Sequence, residues 1–255
     1  LMAAGVQPGG DDGSYLQTIG FQATMPAARG EMSIIRGGKR QVLTFGEDFV
    51  DTVNPRAADF RLSGDVVFAG YGAVDRDIGW DDYRGLNVRG KIVAVLAGGP
   101  AKLASEKRAH FSSRAAKSQA ALARGAKGVV LIDSIADDAG YSVARRAANW
   151  QRPSISWIAP DGKPNLEAGD APSIGTLSRA GAAKLFVGSP VSWAAVDAAE
   201  RLPVLGNAVG IHQHRGRDRD RHEPEHQHGR KAEAHKADGQ PDEEAQDRSE
   251  HGPVC

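Results

Sequence analysis

Cysteine is almost missing from this 255-residue chain: Cys255 stands alone, so no internal disulfide can staple the fold. Aromatic residues are sparse as well, at 6 % of the sequence, against 31 glycines. Any core must therefore be aliphatic. Net charge is also absent, because 32 Lys and Arg balance 32 Asp and Glu. That balance argues against a nucleic-acid partner held by a basic surface. No apolar run approaches the roughly 18–20 residues that span a bilayer. The first residues, Leu1 to Gly5, lack the charged and long apolar regions of a secretion signal. The chain begins without methionine, and it is expected to be an internal piece of a longer reading frame.

Histidine is missing from most of the sequence too. Residues 1–210 hold only His110, which has no His or Cys neighbour and reads as a surface or helix-flanking residue. The other seven histidines fall between His212 and Cys255. That stretch has 44 residues without one Leu, Ile, Met, Phe, Tyr or Trp, and it carries 19 charged residues. It has too little apolar area to offset an ordering entropy of roughly 1–2 kcal/mol per residue. Residues 211–255 are thus expected to form a disordered tail. His212-Gln213-His214 and His226-Gln227-His228 could bind a metal ion loosely, without a scaffold to fix its geometry. The abrupt end of apolar patterning at Ile211 points to translation out of frame in a GC-rich gene. The other frames of the nucleotide sequence decide that point.

The foldable part lies before this tail. Pro8 to Gly13 is dense in turn residues. Tyr15–Ala23 and Glu31–Arg36 read as modest strands, and Gly37-Gly38-Lys39 as a hairpin turn into Gln41–Phe45. Asp65–Ala69, Ile92–Leu96 and Val129–Ile132 are β-branched runs bounded by glycine or turn residues, as buried strands are. Ser154–Ile158 adds a further strand behind Pro153. One helix is predicted from Ser112 or Ser113, either of which can cap it, to Arg124, where Gly125 takes the left-handed position. Ala116, Ala120, Ala123 and Leu122 give it a face suited to lying on a sheet. A second helix is predicted from Ser178 to near Val187. Short strands with two helices interspersed point to an α+β domain rather than a doubly wound sheet.

Candidate chemistry is thin. Ser112, Ser113 and Ser118 lie near Lys117, but no Gly-x-Ser-x-Gly elbow or paired histidine accompanies them. Lys107-Arg108 and Arg145-Arg146 read as solvated faces. Gly98-Gly99-Pro100 follows a strand but lacks the lysine and hydroxyl residue of a phosphate loop. Gly70 and Gly72 allow a sharp turn around Tyr71. Trp80 and Tyr83 supply rare large apolar area, and Asp81 and Asp82 can accept loop amide bonds.

Three motifs in succession resemble a protein family. Gly70-Tyr71-Gly72, then Gly79-Trp80-Asp81-Asp82-Tyr83, then Gly85-Leu86-Asn87-Val88-Arg89-Gly90-Lys91-Ile92-Val93 resemble a protease-associated (PA) domain. The version in question is the one inserted in secreted zinc-dependent aminopeptidases. The passage from Ala120 to Val130 is similar to that family's central helix-to-strand segment. Gly5 to Tyr15 is similar to the stretch after the first helix of the peptidase catalytic domain. The resemblance covers roughly residues 5–210 and is strongest across 64–133.

This resemblance implies a PA-type β-sandwich or open barrel with two flanking helices, preceded by short N-terminal strands. It implies three regions: residues 1–57 as a partial segment of a catalytic domain, 58–210 as the PA domain, and 211–255 as the tail. Family members hold two zinc ions with histidines and carboxylates, and a glutamate serves as general base. Those residues lie beyond the PA insertion, so no catalytic, cofactor-binding or metal residue carries over to this sequence. The chain alone is expected not to hydrolyse peptides and to hold no cofactor. Its implied role is to shape substrate access or protein interaction, outside the cytoplasm, with a peptide substrate or the parent's catalytic domain as partner. Two alternatives stay open: an autonomous peptide- or protein-binding module, and a fragment of an active aminopeptidase.

Overall fold

The computed structural model describes residues 2–57, 59–166 and 173–201, where short strands and short helices follow one another. Eight strands come before any α-helix: β1 (Phe21–Thr24), β2 (Ser33–Arg36), β3 (Lys39–Val42), β4 (Phe49–Asp51), β5 (Val66–Phe68), β6 (Val74–Asp75), β7 (Trp80–Asp81) and β8 (Ile92–Leu96). Helices α1 (Ser105–Ser112) and α2 (Arg114–Leu122) lead to β9 (Gly128–Ile132). Then come α3 (Ile135–Tyr141), α4 (Val143–Ala148), β10 (Ser154–Trp157), β11 (Ser173–Leu177), α5 (Arg179–Leu185) and α6 (Trp193–Arg201).

The main sheet has five strands in the order β4-β11-β9-β8-β5. Strands β5, β8, β9 and β11 run parallel, and β4 closes one edge antiparallel to β11. Every residue of β8 and β9 is buried, as expected of parallel strands covered on both faces. The two-residue period of a strand divides them. Ile92, Ala94, Leu96, Val130 and Ile132 cluster with Ala182 and Phe186, at α5, and with Val196 of α6. Val93, Val95, Val129 and Leu131 cluster with Ala121 of α2 and with Val67, Ala69 and Tyr83. A smaller cluster joins Val50 of β4 to Val143 and Ala147 of α4. The fold is mixed α+β, with three further two-stranded sheets: β1 with β10, β2 with β3, and β6 with β7. Two pairings, β1–β10 and β4–β11, join residues before position 58 to residues after it.

The described residues hold six α-helices where two are expected from sequence. The two predicted ones are present. Ser113 caps α2 by accepting from the Ala116 amide, and Gly125 follows at φ +80°. Ser178 caps α5 by accepting from the Gly181 amide at 3.0 Å. Gly181 is required there: a Cβ on it would lie 2.2 Å from the Asp48 carbonyl oxygen. The other four, α1, α3, α4 and α6, span only six to nine residues each. Helices so short gain little from propensity and form through caps and packing. Ser134 caps α3 and Ser142 caps α4, while α1 buries no residue and so shows no apolar stripe. Strands β4 and β11 also escape sequence reading, the first for its three residues, the second for its Ser, Gly and Thr. The tail 211–255, with its two His-Gln-His triplets, lies outside the described residues.

Candidate functional site

The motif that carries the family resemblance forms a clasp after β5. Gly70 and Gly72 adopt φ of +50° and +66°, and a Cβ on Gly72 would come within 2.9 Å of Val95. The turn so made faces Asp82. Its Oδ2 accepts from the amides of Tyr71 at 3.1 Å and Ala73 at 3.0 Å, and its Oδ1 from Trp80 Nε1 at 2.9 Å. Burial nonetheless raises the Asp82 carboxyl above the usual range, against the pull of those donors and of Lys117. Asp81 accepts from the Tyr83 amide at 2.9 Å. Tyr83 is buried, its hydroxyl pKa raised by desolvation, with the Arg124 guanidinium 4.5 Å from its ring centre. Both aspartates therefore hold the loop together.

The carboxyl ends of parallel strands are where open α/β sheets usually place ligands. In this chain the charged groups described there are engaged within the protein, by ion pairs or by backbone groups. Lys117, 1 % exposed, donates to the Tyr71 carbonyl at 2.5 Å and lies 5.7 Å from the Tyr71 ring centre. Desolvation pushes its amine down to about 8. Asp133, just past β9, pairs with Arg146 and accepts from the Val143 amide at 3.0 Å. Burial holds the Asp133 carboxyl above the usual range even so. Arg179 pairs with Asp197 and with Glu200 at 2.7 Å, and Glu200 also accepts from the Ile135 amide at 2.5 Å. Ser134 bonds Asp137.

A cleft of about 400 Å³ opens elsewhere, between the β6–β7 turn and α1. Val74, Asp75, Asp77, Glu106, His110 and Phe111 lie along it with Arg76 and Lys107. Asp75 caps the short turn Arg76–Ile78 and pairs with Lys107 Nζ at 2.6 Å. That ammonium holds the Asp75 carboxyl below the usual range. Asp77 points to solvent, with its carboxylate 3.4 Å from Lys107. His110 stands edge-on to Phe111, ring centres 5.0 Å apart. Among the described residues no three His, Cys, Asp or Glu side chains converge as metal ligands.

Several residues fall elsewhere than the sequence places them. Lys107 and Arg146, expected on solvated faces, are each paired with a buried carboxylate, Asp75 and Asp133. Lys117 was legible in principle: on the helical wheel it shares the buried face of α2 with Ser118 and Ala121. Ser113 is a helix cap, Ser112 donates to the Arg108 carbonyl at 2.7 Å, and Ser118 is wholly buried. The Ser113 amide also donates to the His110 carbonyl at 3.0 Å, closing the end of α1.

Comparisons with protein-family models, with curated proteins and with solved structures return no match.

Proposed function

We propose that this chain is a non-catalytic accessory region of the PA type from a zinc aminopeptidase-like protein, shaping peptide access or protein contact. The observation that carries this reading is the Asp82 clasp, in which Gly70, Tyr71, Gly72, Ala73 and Trp80 all build a loop. The groups described at the strand ends are engaged within the protein, and among the described residues the open cleft beside α1 offers a contact surface to a peptide. In this reading residues 58–210 are the PA domain, of sandwich or open-barrel type, and residues 1–57 belong to the parent's catalytic domain. Zinc belongs to that parent and would be held outside this chain. Export from the cytoplasm is part of the same reading.

Asp77 and Glu106 give the cleft wall exposed carboxylates that complement the ammonium of a peptide N-terminus. Short peptides with a free N-terminus should shift the amide resonances of Asp77, Glu106 and His110, and N-acetylated versions should not. Shifts confined to other regions would sink the assignment of the cleft. A metal-supplemented aminopeptidase assay of the chain should give no chelator-sensitive turnover; any such turnover would overturn the non-catalytic reading. The second reading, an autonomous binding module, is favoured by the main sheet, which has helices packed on both faces within this chain. Peptide affinity that stays unchanged when the parent's catalytic domain is added would decide for it.

A further inference from the structure

Strands β1 and β10 form a two-stranded sheet whose faces are reversed. Phe21 lies opposite Trp157, and Ala23 opposite Ile155, and all four are exposed. The polar residues Gln22, Thr24 and Ser156 are half-buried on the other side, where Gln22 donates to the Pro55 carbonyl at 3.1 Å and to Thr24 Oγ1 at 3.2 Å. Exposed Ile19 and Met25 flank β1 along the chain. Polar in and apolar out is the inverse of what a strand pair gains from folding in water.

We infer that this outward face is the interface of a symmetric dimer, packed face to face against the same strands of a second copy. Area supports it. Phe21 is 65 % exposed, Met25 67 % and Trp157 42 %, with Ile19 and Ile155 more than half exposed. Side chains of this size expose together on the order of 500 Å² of apolar surface. Two such faces bury about 1,000 Å², the lower bound of a specific interface. Charge supports it as well. Ile19, Phe21, Ala23, Met25, Ile155 and Trp157 include no ionisable group, so a two-fold axis brings no like charges together. The chain's formal net charge of zero adds no long-range repulsion. A lone two-stranded sheet is marginal in water, and stacking on a second one about 10 Å away supplies the missing layer. The dimer stands on these residues alone and does not depend on the accessory-domain reading.

Sedimentation velocity of the full chain across a wide concentration range tests the proposal. A monomer–dimer equilibrium is expected, with a dissociation constant of about 1–100 µM given the small interface. Phe21→Glu and Ile155→Lys, both at exposed positions, should each weaken it by about 30-fold or more, as for aromatic and apolar anchors at an interface centre. Ile35→Glu, on the exposed β2–β3 hairpin, should leave it unchanged. Urea midpoints matching the parent chain at low concentration establish that the variants fold. A monomer at every concentration overturns the proposal. So does a dimer indifferent to both interface variants, or one lost equally in Ile35→Glu.

Discussion

Strands β8 and β9 of the main sheet are buried at every residue, with α2 over Val93 and Val129 and α5 and α6 over Ala94 and Ile132. Among the described residues no helix covers Phe21 or Trp157, which stay exposed, while the polar face of the β1–β10 pair turns toward neighbouring chain through Gln22 and Pro55. Both sheets contain β-branched and aromatic residues with alternating faces. What differs is the chain that follows each strand. β11 leads directly into α5, whose Ala182 packs on one face of the sheet, and the chain between β8 and β9 carries α2, whose Ala121 packs on the other; among the described residues no helix follows β1 in this way. Coverage, more than strand composition, decides whether a sheet becomes a core or a surface.

The sharpest way to break this comparison is a truncation in the covered sheet. Ile132→Ala removes a fully buried side chain that packs in the larger core cluster. It should cost about 4 kcal/mol, as buried aliphatic truncations do, read as a lowered urea midpoint with unchanged slope. A loss under about 1 kcal/mol, typical of surface changes, would mean that the sheet is not the stability core.

The clasp at the edge of the covered sheet comes next. Asp82→Ala leaves the Tyr71 and Ala73 amides and Trp80 Nε1 without their acceptor. Orphaned donors in a part-buried site should cost about 3 kcal/mol together. Asp82→Asn keeps one accepting oxygen and should fall between the variant and the parent. Equal losses in Asn and Ala would show that charge, and not acceptor count, holds the loop.

Lys117 gives the covered sheet a pH signature that the open pair lacks. In the folded chain its amine loses its proton near 8, whereas the ordinary value is 10.5. Between those values the unfolded chain holds more protons, so stability rises with pH through that window. The rise should reach about 3 kcal/mol if the whole shift is realised. Above pH 10 it reverses: burial raises the Tyr71 hydroxyl to about 12, so the folded chain keeps a proton that the unfolded chain gives up. Urea midpoints from about pH 7.5 to 9.5 should climb in the parent chain and stay flat in Lys117→Met. A flat profile in both would show that the amine reaches water.

Sequence alone placed β8 within its true bounds, because Ile92 to Leu96 is apolar throughout and stands between turn glycines. It located the cap Ser178 and narrowed that of α2 to Ser112 or Ser113 for a local reason: a hydroxyl before a helical run has amides to accept from. It pointed to Asp81 and Asp82 as loop acceptors from their side-chain chemistry alone. The parallel order of β5, β8, β9 and β11 was hidden, since pairing is fixed by residues far apart, such as Ser173 beside Val129. The cleft was hidden for the same reason: Asp75 and Lys107 meet only after the 31 residues between them have folded. The inverted face of β1 was hidden as well, since its partner Ile155–Trp157 comes from a strand more than a hundred residues away.

The smallest expected effect is the most discriminating for the comparison. Ile155→Thr keeps a β-branched residue on β10 and removes apolar surface that already faces water. In dilute solution, where the chain is monomeric, it should change stability by less than about 0.5 kcal/mol. The equivalent change in the covered sheet, Ile132→Thr, adds a hydroxyl to a dry site and should cost several-fold more. Only at concentrations where copies meet should Ile155→Thr begin to matter, because the area it removes is then buried. Stability loss that grows with protein concentration separates an interface from a mere surface; the same loss at every concentration would place Ile155 in the core of a single chain, against its exposure.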